Sequence, residues 1–290
     1  MLWDAFFAET YRLARSRTTW FWSVFFVPAL TLVFSVIGAF VQKGLGAKMV
    51  AEGKAPPELA LAMAKTHIDV GQAIVHTAGE LAGPMTLAFV LIGAATIYAG
   101  DYRWETWRLI SARNSRDNLI LGKVGVLKLL TLAAMTAMLI AGIMDALVNA
   151  FVLGKPLAFT FDGAAFGQFA GYFFLSYLRI MQFMMISLLI AVMTRSLLAA
   201  LFVPLVVGVA QFFSMQALGP MGVQPEDWIA VMANPGGAAD SIKSLIAGGA
   251  AAESLAEGEV LKSVVSLAFW MLVPLVGALA WFRKQDLSKE

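Results

Sequence analysis

The chain contains no cysteine and only two histidines, and charged residues fill just 14% of its 290 positions. Without cysteine there are no disulfides, thiolate metal sites or cysteine nucleophiles, and the redox compartment stays open. His67 and His76 lie nine apart, with Asp69 and Glu80 as the nearby acids. A helical metal site needs closer spacing and a third ligand at hand, so solvated loop histidines are the favoured reading and no metal is expected. No Ser-His-Asp arrangement and no pair of carboxylates within an apolar stretch suggests hydrolysis. The phosphate-binding pattern G-x-x-x-x-G-K-[S/T] is missing too. The Gly-Lys pairs at 53–54, 122–123 and 154–155 run into Ala55, Val124 and Pro156, without the hydroxyl that such a loop offers to magnesium. The chain is therefore expected not to hydrolyse ATP and not to be an enzyme. Lysine and arginine number 21 against 19 acids, a net charge of +2, so no bulk field draws nucleic acid.

What is present is apolar surface. Hydrophobic residues make up 60% of the chain and the mean hydropathy is +0.77. Too few polar residues remain to cover a water-soluble domain, so lipid must act as solvent for much of the surface. A bilayer core takes about 20 apolar residues per helix. Residues 18–42, 81–100, 196–225 and 263–282 satisfy this with no charge, and two further stretches do so with a few. The sequence predicts an all-α membrane protein, a single transmembrane domain over 1–290. Its six spans fall at about 20–41, 81–100, 119–150, 164–193, 197–218 and 263–282. The first apolar stretch starts late and lacks a small-residue cleavage site, so no cleaved signal peptide is expected. Ahead of it, Leu2, Trp3, Phe6, Phe7 and Leu13 recur at helical spacing opposite Asp4, Glu9, Arg12 and Arg15. This predicts an amphipathic helix over 1–17 lying in the membrane interface, charges toward water.

Basic residues near span ends favour the cytoplasm. With the N-terminus inside, twelve basic residues fall on inner segments and seven on outer ones, and nine of the ten arginines are inside. Both termini are then cytoplasmic, with loops 42–80 and 219–262 external. Each external loop contains helix-compatible pieces, PPELALAMAKTHID in the first and EDWIAVMANPGGAADSIKSL in the second. They either dip back into the membrane or lie as surface helices, and both readings stand.

Three charges fall inside spans. Lys128 is near enough to the inner surface to snorkel, and Asp145 is near the outer end of its helix. Arg179 is at mid-span, where a charge marks either a functional site or a structural anchor. It lies sixteen residues before the turn at Arg195, and Gln211 lies sixteen after it. At about 1.5 Å per residue the two are level, roughly 24 Å from the turn, whereas Asp145 is mismatched in depth by roughly 15 Å. Arg179 is therefore expected to face the bundle or a subunit interface near Gln211, as part of a pathway or of the bundle interior. Met181, Met184 and Met185 beside it read as adaptable packing.

The segment from Asp101 to Lys123, DYRWETWRLISARNSRDNLILGK, gathers four arginines, a lysine, three acids and two tryptophans. Residues 101–118 are the one sizeable inner loop between spans. By charge alone this is a solvated loop obeying the positive-inside rule. The segment also resembles the first cytoplasmic loop of type-2 ATP-binding-cassette (ABC) permeases. Asp101 falls at the family's acidic position and Thr106 at its threonine. Leu109 and Ile110 match an aliphatic pair, Ser115 and Arg116 a Ser-Arg turn, and Gly122 and Lys123 a Gly-Lys that opens the third span. Glu105 replaces the usual glycine and the turn lacks its proline. The tail Trp281, Phe282, Arg283, Asp286 and Leu287 resembles the family's ending. The resemblance covers the chain as architecture and about twenty residues as motif. It implies an exporter subunit in the cell membrane, paired with a second copy or a related permease. Its coupling loop would meet two copies of a separate ATPase, which hold the ATP and magnesium. Asp101, Glu105, Thr106, Arg108, Arg113, Arg116 and Lys123 are then the expected contacts with that ATPase. A secondary transporter or channel working alone, or a membrane scaffold, remains the alternative.

Overall fold

In a computed structural model, which describes residues 2–51, 66–103, 107 and 114–285, the chain is an all-helical bundle. Six helices have the length and apolarity to cross a membrane. Helix α1 (Leu2–Arg15) precedes a long second helix, α2 (residues 17–51), which runs through Arg17–Trp20, a π-helical turn at Phe21–Phe25, and Phe26–Ala51. After the two-residue strand β1 (Ile68–Asp69) come α3 (Val70–Glu80), α4 (Pro84–Arg103) and α5 (Arg116–Leu153). The strand β2 (Leu157–Ala158) pairs in parallel with β1. Then follow α6 (Gly163–Thr194), α7 (Leu197–Leu218), α8 (Trp228–Ala233), α9 (Pro235–Ala247), α10 (Gly249–Glu253) and α11 (Glu259–Lys284). The spans are α2, α4, α5, α6, α7 and α11, each overlapping its expected range and generally longer by a few residues.

Polar residues at the boundaries explain where the helices start. Side chains of Asp69, Ser115, Asp162, Ser196 and Asn234 accept the first free amides of α3, α5, α6, α7 and α9, the usual N-cap arrangement. Gly154 at φ 67° ends α5, a left-handed conformation that glycine takes without penalty.

Burial ranks the spans. In α6, 72% of the apolar window is buried, against 17% in α2 and in α7. Helix α6 is therefore the hub, and α2 and α7 turn rows of Phe and Val outward, as lipid-facing helices do. Met181, Met184 and Met185 lie in the central core, with the Thr131 hydroxyl 3.2 Å from the Met184 sulfur.

Two segments read as parts of external loops pack against the spans. The Ser176 hydroxyl donates to the Ala78 carbonyl at 2.8 Å. Ser176 is thirteen residues into α6, about 20 Å along it, so α3 and α4 form one broken element interrupted at Leu81–Gly83. Helices α8 and α9 form a hairpin turning at Asn234 and Pro235. Ser266 donates to the Val231 carbonyl at 2.8 Å and the Trp270 indole to the Met232 carbonyl at 2.8 Å. Both donors are within the apolar stretch of α11, so the hairpin packs along that helix. Most of PPELALAMAKTHID lies outside the described residues.

Candidate functional site

Among the described residues, two polar clusters stand out within this apolar bundle, one near each end of α4. The first is at the end of the bundle that holds α1. Helix α1 approaches α5 closely because Gly122 and Gly125 carry no side chain. A Cβ at Gly122 would lie 3.0 Å from the Ala5 Cβ, and one at Gly125 would lie 2.8 Å from the Phe6 ring. This contact turns Ala5, Glu9 and Leu13 inward and leaves Trp3, Phe7 and Tyr11 exposed.

Inward-facing Glu9 completes a ring of four charges. Asp101 at the end of α4 meets Arg12 at 2.9 Å and Lys123 at 2.5 Å. Glu9 meets Lys123 at 2.8 Å and Arg12 at 3.1 Å. The Lys123 ammonium donates hydrogen bonds to Glu9 and to the Ile97 carbonyl, the latter at 3.0 Å, and its contact with Asp101 is an ion pair. Asp101 and Lys123 are wholly buried. Removing an ion from water costs several kcal/mol, and only close, fully bonded partners offset it. Burial pulls the Arg12 guanidinium's pKa down, but the carboxylates of Glu9 and Asp101 more than offset this and hold it above its ordinary value.

The ring adjoins an aromatic clamp. Trp107, the one described residue of 104–113, is fully buried. Its ring is 5.2 Å from the Lys123 nitrogen, and its centroid is 4.6 Å from that of Phe282 and 5.4 Å from that of Tyr102. The Tyr102 hydroxyl donates to Gln285 at 2.9 Å. On the other side of the loop, Arg116 donates to the carbonyls of Phe282, Arg283 and Gln285 at 2.9, 3.0 and 2.6 Å, capping the end of α11. Arg283 forms a two-pronged pair with Asp117 at 2.8 and 2.6 Å. Both roots of the loop are thus tied to the last turn of α11.

These positions add internal partners to two expectations. Asp101 and Lys123 are wholly buried and ion-paired inside the chain, so neither presents its charge at the surface of this chain. Glu9 and Arg12 do not simply face water, because their counter-charges are on α4 and α5. Arg116 is committed to the end of α11. Glu105, Thr106, Arg108 and Arg113, with Asp286 and Leu287 of the tail, lie outside the described residues.

The second cluster surrounds Arg179. Its two terminal nitrogens donate to Gln182 at 2.9 Å and to Gln211 at 3.1 Å, and its guanidinium carbon is 4.9 Å from the Phe183 ring centroid. Gln182 in turn donates to the Leu267 carbonyl on α11 at 2.8 Å. Arg179 therefore faces the bundle with Gln211 as a partner, the arrangement expected from depth. Gln182 was not anticipated, although a residue three ahead on a helix shares its face. Asp145 instead pairs with Asn149 at 3.0 Å. Beside Arg179 lies a cavity of about 210 Å³. Glu80, Pro84, Gly236, Asp240 and Lys243 contribute to its lining. The α3–α4 break and the start of α9 meet there, and membrane transporters commonly build binding sites where helices break beside a polar cavity. Comparisons of the chain with protein-family models, with curated proteins and with solved structures find no match.

Proposed function

We propose that this chain is the membrane subunit of an ATP-driven exporter of the ABC type, coupled through the inner loop 101–118 to a separate ATPase. The observation that carries the reading is the course of α4. Its last turns hold Asp101 in the charge ring and Tyr102 in the aromatic clamp. Its first turn, at Pro84 and Leu87, lines the Arg179 cavity. Twenty helical residues, about 30 Å at 1.5 Å each, link the roots of the loop to the wall of the cavity. A push on the loop is then felt at the cavity through one stiff element.

In this reading two copies of the ATPase bind ATP and magnesium. This chain pairs with a second copy or a related permease in the cell membrane, both termini in the cytoplasm. The Arg179 cavity forms part of the export pathway. The ring and clamp position the loop, while Arg108 and Arg113 supply the cations for the ATPase surface. Arginine suits that role because its planar fork binds carboxylates in pairs.

The test is co-purification of an ATPase from native membranes, with transport measured in vesicles. Arg108→Glu with Arg113→Glu is expected to abolish co-purification and ATP-dependent transport while the spans still insert. Transport that proceeds without ATP would support a stand-alone transporter instead. A cysteine at Ser111, introduced into this cysteine-free chain, is expected to react only with reagents on the cytoplasmic side.

A further inference from the structure

We propose that the Arg179 cavity binds a small zwitterion, a molecule of amino-acid size whose carboxylate meets Arg179 and whose ammonium meets Glu80. The inference rests on the reading of that cavity as part of the export pathway, and it names the class of cargo. Among the described residues four charged side chains line the cavity, the acids Glu80 and Asp240 and the cations Arg179 and Lys243. Their formal charges cancel, so the site as a whole favours a ligand without net charge.

The four charges are not equivalent. Asp240 and Lys243, a turn apart on α9, pair with each other at 3.7 Å. Arg179 forms no ion pair among the described residues. Its two terminal nitrogens donate to the neutral side chains of Gln182 and Gln211, and a guanidinium has further N–H groups to offer a ligand. Glu80 closes α3 with its side chain exposed, and among the described residues its carboxylate is neither ion-paired nor hydrogen-bonded. The cavity thus holds one cation on α6 and one acid on α3, each without a counter-charge of its own. A ligand with one charge of each sign satisfies both. A simple anion would meet Glu80 as a like charge, and a simple cation would meet Arg179 so.

The two poles are held side by side. The bond from Ser176 to the Ala78 carbonyl ties α6 to α3 just ahead of both groups, with Arg179 the third residue on and Glu80 the second. Their charged atoms still do not meet, and the cavity lies between their elements. A Cβ at Gly236 would lie 3.3 Å from a terminal nitrogen of Arg179, so the first turn of α9 closes against the guanidinium because glycine stands there. Leu87 and Leu175 complete the wall and give an uncharged side chain an apolar surface. The volume of about 210 Å³ is below the range of about 300–1,000 Å³ found for drug-sized ligands, which suits a molecule of amino-acid size.

The test uses the full chain in mild detergent, with thermal unfolding followed in millimolar leucine, phenylalanine or dialanine. Each is compared with its own amide, which keeps only the ammonium, and its own N-acetyl derivative, which keeps only the carboxylate. A ligand of the folded chain raises Tm. A zwitterion is expected to raise it, and either derivative should need about tenfold more for the same shift, since losing one partner of a desolvated charge pair weakens binding at least that much. Glu80→Gln should make the N-acetyl derivative as effective as the zwitterion, and Arg179→Gln should do the same for the amide. Glu80 is exposed, so its variant decides the matter even where Arg179→Gln fails to fold. The proposal is overturned by no shift with any of the three zwitterions, by equal shifts with a zwitterion and either derivative in the wild-type chain, or by unchanged discrimination in Glu80→Gln. An ATPase that co-purifies with a chain blind to zwitterions sinks the cargo class alone. Zwitterion binding by a chain that retains no ATPase sinks the exporter reading alone.

Discussion

Replacing Lys123 with methionine removes one charge from the ring and little volume. The wild-type ammonium is fully buried and bonded to Glu9, Asp101 and the Ile97 carbonyl. Without it, Asp101, also fully buried, depends on Arg12 for its ion pairing within the ring, and Glu9 likewise. Loss of one partner from a buried pair costs about 3–5 kcal/mol, and Arg12 keeps the effect near the lower end, about 3 kcal/mol. Arg12→Met should cost far less, about 1 kcal/mol or below, because its side chain is 48% exposed and solvent screens it. Lys123→Met combined with Asp101→Asn removes both wholly buried charges. Its cost should fall short of the sum of the single changes by about 1–3 kcal/mol, the usual coupling between contacting residues. The assay is reversible unfolding in mixed micelles, with free energies extrapolated linearly in denaturant. Additive effects, or a Lys123→Met cost no larger than that of Arg12→Met, would refute the closed ring.

Three further outcomes follow from the same geometry. Arg179→Lys should behave nearly as badly as Arg179→Leu in transport and assembly, because one ammonium cannot reproduce the fork that meets Gln182 and Gln211; wild-type transport in the lysine variant would sink the cluster's role. Asp69 is pulled from 3.8 down to about 2 by hydrogen bonds from Thr160 and Gln72, so the link it makes between β1 and Thr160, two residues past β2, is at full strength above pH 3.8 and lost as pH falls through about 2. Protection of the Thr160 amide, taken relative to its intrinsic exchange rate, should fall across that window, and Asp69→Asn should remove that fall. Asn234→Ala deletes the cap on the Gly237 amide, 3.0 Å away, and should cost about 1 kcal/mol; faster hydrogen exchange confined to α8 and α9 would show it, and an unchanged profile would contradict it.

The six spans were legible because a run of about 20 apolar residues has few other uses. The charge ring was not. Amphipathicity compares a helix only with itself, so Glu9 and Arg12 read as a water-facing side. The partner that turns Glu9 inward is 114 positions along the chain, and no local period reports it. The sequence did hold a clue in Ala5, Glu9 and Leu13, which share one face with a small residue where α1 meets α5. Gly122 and Lys123 read as a family motif, yet their work in this chain is internal. The glycine admits α1 and the lysine closes the ring around Glu9. Charged residues of a motif can thus serve as an internal mount and not as an outward contact.

Depth and rotation differ in the same way at Arg179. Helix rise is nearly constant, so counting sixteen residues from a tight turn puts Arg179 and Gln211 level whatever surrounds them. Rotation about the helix axis depends on packing, which counting cannot supply. In the structure the packing of α6 against both α7 and α11 settles it, as the Gln182 bond to Leu267 on α11 records. The cavity beside Arg179 lay further from view. It arises where the α3–α4 break and the α9 start converge, and the pieces involved, 11 residues in α3 and 13 in α9, are too short for a span. Length assigns such pieces to loops. Hydrogen bonds from Ser176, Ser266 and Trp270 to carbonyls of α3 and α8 then draw them in. Within an apolar bundle a free carbonyl is costly, and a span that offers a hydroxyl or indole donor gives a short helix a reason to lie deep.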